Sequence, residues 1–390
     1  MIFRMYTIIS KSQTNLQLNF KKVSCLRSFF VSALLLLLVV SCRKGSDDFL
    51  IWQKSQGPGI AFFISSTPDS GVISTGTLNN KAYLSKLSKS KDPEMEYTSE
   101  SDGLFSSVWY NGSFIIAAGS SEGKMLLTRL DNQGQQIWST TINTGFTVDV
   151  TTLLNTGGGN MLAVGSASAD SSYEGTTGVL FVRFDEDGGI SLNKGVTENS
   201  FIAANNAASD GSGNVYLSLT RKTGGSTGKM SVAKYNSDFN KIWETELYNN
   251  VNFGASGRGI LVDNNSNIFV TGKTEVSKET GTLDESFLAS LSGSGIVRWK
   301  KYLENSNCGI SLIMNETGSL YLLNRNCFFI NVVNPEDGSD EGRLRTFDAC
   351  DPYSTDAFGM YFDTDPDGKI LVAGARGGNY YLALKDPERQ

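Results

Sequence analysis

The chain repeats one thirteen-residue phrase with different residues in the same pattern. It reads LLTRLDNQGQQIW over Leu126–Trp138, SVAKYNSDFNKIW over Ser231–Trp243 and FLASLSGSGIVRW over Phe287–Trp299. Each copy is an apolar segment, a polar turn and a second segment that ends in tryptophan, which is typical of two strands joined by a turn. A unit of this kind buries its apolar faces only against further copies of itself, so the repeat constrains the whole architecture.

Each unit also contains an apolar strand that ends in a landmark residue, which is glycine in five of seven cases. The landmark residues recur at intervals of 43 to 54 residues. This period, the short strands and the absence of helical periodicity after the first 42 residues predict an all-β fold, a seven-bladed β-propeller with four-stranded blades. A β-sandwich would not explain seven near-equal periods. The landmark strands are Val72–Gly76, Phe114–Gly119, Met161–Gly165, Val215–Leu219, Ile268–Gly272, Leu320–Asn324 and Ile370–Gly374.

The two ends of the repeat array complement each other. The last unit stops at Tyr380–Leu384, after its third strand, whereas Phe49–Lys54 resembles the tryptophan strand at Gln136–Thr140. We therefore expect the N-terminal strand to complete the last blade and to close residues 49–390 into a single propeller, which leaves no exposed sheet edge.

Tryptophan recurs at one position of the fourth strand, and we expect it to pack at the faces of the blades. Leucine replaces it in the third unit. The residues at this position include Trp52, Trp138, Leu192, Trp243 and Trp299.

The phrase formed by Leu130, Asp131, Gly134 and Trp138 resembles the repeats of quinoprotein-like propellers, and also the repeats of about fifty residues in secreted Bacteroidota proteins. The resemblance covers most of the chain and implies the architecture. Some of these relatives are quinone-dependent dehydrogenases and others are scaffolds of outer-membrane protein assembly, so the resemblance does not imply one chemistry.

The first 41 residues read as a lipoprotein signal peptide. Basic residues precede the apolar run Phe29–Val40, which at twelve residues is too short to span a bilayer. The following Val39–Cys42 segment resembles a bacterial lipobox and predicts lipidation of Cys42, with residues 42–48 as a spacer between membrane and propeller. Arg43 stands where an aspartate would retain the protein in the inner membrane, so we expect an outer-membrane lipoprotein on its periplasmic or surface face.

Composition excludes several classes of function. The net charge of −6 and the dispersed basic residues argue against a nucleic-acid partner. The chain contains no histidine, which excludes Ser-His-Asp and Cys-His catalysis and histidine-based zinc sites. We expect no cofactor and no metal. Asp363–Gly368 matches only the first half of a calcium loop, and we interpret it as a tight turn.

Three places are candidates for binding or covalent structure. Long loops in three consecutive units, Ser166–Thr177, Arg221–Gly228 and Lys273–Glu285, are expected to form one lobe that binds a partner or to be surface insertions. Residues near the starts of inner strands are expected to approach the channel and orient a small ligand or to solvate it. Two cysteines of the sixth unit are expected to form a disulfide. The loop candidates are Tyr173, Glu174, Arg221, Lys222, Lys278 and Glu279, the channel candidates are Asp149, Arg258 and Asp356, and the cysteines are Cys308 and Cys327.

These observations favour an envelope lipoprotein whose propeller binds a protein or a glycan without catalysis. The alternative is a propeller enzyme, quinoprotein-like or polysaccharide-lyase-like, that uses channel residues; Tyr110 or Tyr361 are possible lyase groups. A purely structural role in the envelope is a third possibility.

Overall fold

A computed structural model describes residues 50–168, 177–198, 201–222, 228–248, 254–278, 281–303, 308–325, 328–344 and 357–386. All regular elements within these ranges are β-strands. No helix suited to crossing a membrane occurs in the same ranges. The predicted signal peptide, Cys42 and the spacer lie outside them.

The strands follow one another as antiparallel meanders. They are β1 (Leu50–Ser66), β2 (Val72–Leu78), β3 (Lys81–Leu87), β4 (Pro93–Asp102), β5 (Leu104–Tyr110), β6 (Phe114–Ser121), β7 (Lys124–Asp131), β8 (Gln136–Ile142), β9 (Thr147–Gly157), β10 (Asn160–Ser168), β11 (Thr177–Asp185), β12 (Ile190–Glu198), β13 (Phe201–Ser209), β14 (Val215–Lys222), β15 (Lys229–Tyr235), β16 (Lys241–Tyr248), β17 (Ala255–Val262), β18 (Ile268–Lys278), β19 (Gly281–Leu291), β20 (Val297–Leu303), β21 (Gly309–Met314), β22 (Leu320–Asn324), β23 (Ile330–Val333), β24 (Asp340–Leu344), β25 (Ala357–Thr364), β26 (Ile370–Arg376) and β27 (Asn379–Lys385).

Five sheets each contain four consecutive strands, from β5–β8 to β21–β24. The sixth sheet has seven strands in the order β25-β26-β27-β1-β2-β3-β4. In it the first half of β1 pairs with β27, with Leu50 opposite Lys385, and the second half pairs with β2, with Ser66 opposite Val72. The N-terminal strand therefore does pair with the last strand of the chain. It is longer than the predicted segment, however, and it joins the two ends of the array in one sheet.

The apolar side chains of the described residues form seven clusters, and each cluster combines strands from two successive meanders. One cluster contains Leu127 of β7 and Val182 of β11, and another contains Ile64 of β1 and Leu382 of β27. Each fully buried side chain of this size contributes roughly 1.5–3 kcal/mol. Four-stranded antiparallel sheets that pack face to face in sequence are the arrangement of a β-propeller.

Tryptophans of the fourth strands bind the next meander along the chain. Trp138 Nε1 donates to Glu186 O at 3.0 Å, and Trp243 Nε1 donates to Gly293 O at 3.3 Å. The acceptor carbonyls lie in the turn between the third and fourth strands of the neighbour. A Cβ added to Gly295 in one such turn would lie 2.8 Å from the Trp243 ring, so the turn glycine leaves room for the indole. We call each pair of fourth-strand residue and neighbouring turn an outer latch.

Where Leu192 replaces tryptophan, the turn of the next meander that faces it carries a larger residue. Phe239 occupies the turn position that is glycine at Gly134, Gly188 and Gly295, and it holds a left-handed φ of 56°. Its ring stacks on Phe181 with centroids 4.6 Å apart and is almost fully buried beside Leu192. In this latch the large aromatic side chain therefore lies in the turn, and the smaller side chain lies on the fourth strand.

In the calcium-loop-like segment Asp363–Gly368, the first two residues end strand β25 and the others form a turn. Asp365 Oδ1 accepts hydrogen bonds from the backbone N–H groups of Asp367 and Lys369, at 3.0 and 2.9 Å. Asp263 caps its turn with the same two bonds to the residues two and four positions later. A side chain that caps its own turn in this way is a local structural device.

Candidate functional site

Seven strands each carry one residue more than the strand they pair with, at the same place. These cavity strands are β1, β5, β9, β13, β17, β21 and β25, and each contains a β-bulge opposite the landmark region of the next strand. A bulge adds one residue to one strand of a pair and re-aims its side chain. We call the extra residues the bulge ring. Its members are Phe62, Ser106, Thr151, Asn205, Arg258, Ile310 and Met360.

The landmark glycines are explained by these bulges. Gly272 pairs with Gly257, just before the extra residue of β17. A Cβ added to Gly272 would collide with the carbonyl oxygen of Ser256, because the bulged strand brings its backbone against the landmark residue. Only glycine accepts so close an approach. Glycine stands opposite the bulge in five of the seven units, whereas Leu219 and Asn324 take the same place beside the bulge in the other two.

All seven members of the bulge ring line one cavity of about 840 Å³. All seven are half-buried, as expected for side chains that border an open space. Their order around the cavity divides it into two arcs. Four consecutive members are polar, from Ser106 to Arg258, and the remaining three, Ile310, Met360 and Phe62, are apolar.

The polar arc is mostly hydrogen-bonded within its own sheets. Ser106 Oγ donates to Ala118 O and Thr151 Oγ1 donates to Val164 O, both at 3.3 Å. Asn205 Nδ2 donates to Thr220 Oγ1 at 2.8 Å. These three side chains therefore present little free donor capacity to a ligand.

Arg258 differs from its neighbours on the ring. Its Nε is buried and has no hydrogen-bond partner within the part of the chain that the structure describes. Ser311, on the adjacent cavity strand, lines the same cavity, is 2% exposed and also has an unpartnered Oγ. A buried donor that makes no hydrogen bond costs about 1–3 kcal/mol.

Within the described ranges three charged side chains line the cavity, and they include two of the three channel residues predicted from the sequence. Asp149 and Arg258 both line the cavity, and Asp149 already has an interaction partner. Asp356 lies outside the described residues. The third charged residue, Asp363, was assigned to a turn by sequence reasoning.

Asp363 lies on β25, the last cavity strand, and is hydrogen-bonded to β1, the first. Its Oδ2 accepts hydrogen bonds from Ser65 Oγ at 2.7 Å and from Ser66 N at 3.1 Å. Burial raises the pKa of the Asp363 carboxyl above its usual range, although these hydrogen bonds oppose the shift. The carboxylate therefore joins residues almost 300 positions apart.

The predicted partner lobe is only partly described. Tyr173, Glu174 and Glu279 lie outside the described residues. Two of its members, Arg221 and Lys222, belong to strand β14, so they do not lie in a loop. The side chain of Lys222 is likewise not described.

Arg221 is held by an ion pair. Its Nε and Nη2 donate to the carboxylate of Glu244, the second at 2.6 Å. Burial would raise the pKa of Glu244, but hydrogen bonds from Arg221 and Lys241 hold it below its usual range. This arrangement restrains Arg221 within its own sheet.

The third predicted loop, Lys273–Glu285, is largely an extended hairpin. Strands β18 and β19 pair from Ile268 with Leu291 as far as Lys278 with Gly281. Lys273 Nζ lies 2.9 Å from Asp284 Oδ2 across this hairpin. The loop prediction was wrong here because the cross-strand pairing continues through the charged residues.

Cys308 is buried and forms no disulfide with any of the described residues. Burial raises its pKa, and the nearby charges of Arg258 and Arg325 oppose this effect. Cys327 lies outside the described residues, so the proposed disulfide between the two stays a prediction.

Sequence reasoning did not find the bulge ring as a set, although a signal was present. Its members lie fourteen residues before the landmark residue in six units and thirteen residues before it in the unit of Ser106. Their chemistry varies from Phe62 to Arg258, so no residue pattern marks the position. The fixed spacing from the landmark was the signal.

Similarity to known proteins agrees with this architecture. Residues 254–277, which include Arg258 and Gly272, match the family model of the SBBP beta-propeller repeat. No curated protein matches the chain.

Several solved structures share the fold at low sequence identity. Hydrazine synthase of Kuenenia stuttgartiensis is similar with a TM-score of 0.60 and 11% identity, over 86% of this chain and 98% of that one. A catalytically inactive histidine-to-alanine variant of virginiamycin B lyase from Staphylococcus aureus, solved with quinupristin, gives 0.54 and 10%, over 86% and 99%. YCF48 bound to D1 peptide gives 0.53 and 10%, over 86% and 94%. These likenesses show the fold alone, that of a β-propeller.

Proposed function

We propose that the protein is an envelope lipoprotein whose propeller binds a protein segment without changing it chemically. The observation that carries the proposal is the bulge ring, seven side chains of different chemistry placed by one repeated backbone device around a cavity of about 840 Å³. Binding residues concentrate where a rigid scaffold presents variable side chains.

A seven-bladed architecture is part of the proposal. The seven-stranded sheet is interpreted as two blades that share β1, since residues 50–58 pair with β27 and residues 59–66 pair with β2. The seven apolar clusters between successive meanders support this count.

A protein ligand fits the cavity better than a glycan. Glycan recognition needs free hydrogen-bond donors, whereas Ser106, Thr151 and Asn205 donate within their own sheets. The apolar arc of Ile310, Met360 and Phe62 offers contact area to hydrophobic side chains. A neighbour in fold, YCF48, is bound to a peptide, which is consistent with this choice.

An enzymatic role is the weaker alternative. Virginiamycin B lyase, which shares the fold, has a catalytically inactive variant in which a histidine is replaced, and this chain has no histidine. Tyr361 lines the cavity, but burial raises its pKa, which is unfavourable for a general base. Asp363 is committed to Ser65 and Ser66.

Attachment to the outer membrane through Cys42 is proposed from the lipobox resemblance. Several acyl chains on one cysteine would anchor the protein stably. Metabolic labelling with radioactive palmitate, followed by membrane fractionation, tests this proposal. We expect label and membrane association in the wild type and loss of both in Cys42→Ala; an unlabelled wild type would contradict the anchor.

The binding role is tested by blocking the cavity. The Thr151→Trp variant fills the ring, and Thr141→Trp makes the same change at an exposed position of the outer strand β8. Proteins cross-linked to each variant in native envelopes are identified by mass spectrometry. A partner lost only from Thr151→Trp supports the proposal, whereas partners unaffected by either change would place binding outside the cavity.

A further inference from the structure

Among the charged residues that the structure describes at the cavity, one group is unsatisfied, and it is positive. Asp149 has an interaction of its own, and Asp363 accepts hydrogen bonds from Ser65, Ser66 and Thr364. Arg258 has no ion pair or hydrogen bond within the described residues, and its Nε is buried. A guanidinium in this state is complementary to an anion.

A second unsatisfied donor lies on the adjacent cavity strand. A Cβ built on Gly259, the residue after Arg258, would lie 2.9 Å from Ser311 Cα, so strands β17 and β21 touch at this level. The Oγ of Ser311 has no partner, and the residue is 2% exposed. One guanidinium and one hydroxyl that line the same cavity are suited to a small oxyanion such as a carboxylate.

The apolar arc begins next to this pair. Ile310 precedes Ser311 on β21, and Met360 and Phe62 follow on the next two cavity strands. A ligand whose anionic group lies at Arg258 would therefore have apolar surface on one side of it. The opposite side, with Asn205 and Thr151, is polar.

We propose that the cavity binds the C-terminal end of a peptide, with the terminal carboxylate held by Arg258 and Ser311 and apolar last side chains against Ile310, Met360 and Phe62. This inference rests on the proposed function and specifies its ligand. Arg258 Nε and Nη groups donate to the carboxylate, Ser311 Oγ donates to it as well, and the ion pair is strengthened by partial exclusion of water. Capture of a C-terminal carboxylate is an established mode of peptide recognition.

The experiment uses two random-hexapeptide libraries that differ only at the C terminus, one with free carboxylates and one amidated. Bound peptides are identified by mass spectrometry, and their affinities are measured by fluorescence anisotropy. We expect enrichment of free-acid peptides with apolar last residues, bound roughly 10- to 100-fold more tightly than their amides, as for the loss of a hydrogen bond to a charged group.

Variants of Arg258 and Ser311 test whether these residues cause the preference for free-acid peptides. Arg258→Gln is expected to abolish the difference between acid and amide, and Ser311→Ala to reduce it. Arg325→Gln is the matched control, because it removes the same charge from a side chain that also acts on Cys308 but does not line the cavity. The control is expected to keep the preference.

The outcomes separate this inference from the proposed function. Peptides that bind equally as acids and amides would overturn carboxylate recognition and leave the binding role intact. Loss of the preference in Arg325→Gln as much as in Arg258→Gln would also overturn the site. Binding of decanoate, dependent on Arg258 and without enrichment of any peptide, would overturn both the peptide ligand and the proposed protein partner.

Discussion

The inner edge of a meander is its cavity strand, and the outer edge is its fourth strand with the latch. The residue type at the repeated position varies freely at the inner edge and is restricted at the outer edge. At the inner edge, one bulged position carries seven residues that range from Phe62 to Arg258. At the outer edge, Trp138 and Trp243 make the same latch, and the position of Leu192 is matched by a compensating Phe239. A side chain at a bulge borders a cavity and is free to vary, whereas a latch residue fills a defined space and varies only together with its partner.

The largest effect is expected at the outer edge. Trp138→Ala removes the indole that packs on the neighbouring turn and the hydrogen bond to Glu186 O. We expect the free energy of unfolding to fall by about 3–5 kcal/mol, measured by urea denaturation. Thr151→Ala, at the inner edge, serves as the comparison and is expected to change it by less than about 0.5 kcal/mol. Similar losses in the two variants would contradict the contrast between the edges.

The latch of Leu192 and Phe239 allows a sharper test. Phe239→Gly alone leaves a void beside Leu192, and Leu192→Trp alone meets the Phe239 ring, so each single change should destabilise. The double variant recreates the common pair and should recover about 0.5–3 kcal/mol relative to the sum of the single effects. A double-mutant cycle on unfolding free energies measures this coupling. Additive effects would mean that the two residues do not form a latch.

Asp363 lies at the inner edge, but its carboxylate hydrogen-bonds to another strand of the fold. Its pKa is raised in the folded state, so the folded protein holds the proton more tightly than the unfolded chain does. Its contribution to stability is therefore complete below the unfolded pKa, near 3.9, and decreases as pH rises through the folded pKa, by roughly 1.4 kcal/mol for each pH unit between the two.

Asp363→Asn does not titrate and should lack this component. The difference in unfolding free energy between variant and wild type should shift in favour of the variant as pH rises from 4 upward, as followed by denaturation at several pH values. A difference that stays constant with pH would exclude Asp363 as the source. Comparison within the pair is needed because carboxylates with lowered pKa, such as Glu244, have the opposite dependence.

No loss of stability is expected at Arg258. Arg258→Leu removes a buried donor that has no partner among the described residues, so the unfolding free energy should stay unchanged or increase by about 1 kcal/mol. Thermal unfolding of the protein without ligand measures this change. A clear loss of stability would show that Arg258 supports the fold rather than a ligand.

Much of the framework was predictable from the sequence because backbone requirements leave residue signatures. Glycine is needed at Gly272 and at similar positions where the bulged strand approaches closely, and tryptophans such as Trp138 fill most of the latches. The bulge ring itself leaves no such signature, since an unpaired residue facing a cavity is unconstrained in type. Arg258 was selected from its position near the start of an inner strand, but its lack of a partner depends on distant strands. The β18–β19 hairpin was predicted as a loop because its residues are charged. Lys273 and Asp284, however, pair across the two strands.

The double pairing of β1 also bears on how the protein is made. Leu50 finds its partner, Lys385, only when nearly the whole chain has been synthesised. Contacts between residues so far apart in sequence form slowly, because the entropy of the intervening chain must be lost first. The four-stranded sheets and the apolar clusters between them are local enough to form as synthesis proceeds. The first half of β1 must wait, so ring closure is expected to be the final step of folding, and a chain that lacks its last strand would leave that segment as an unpaired edge.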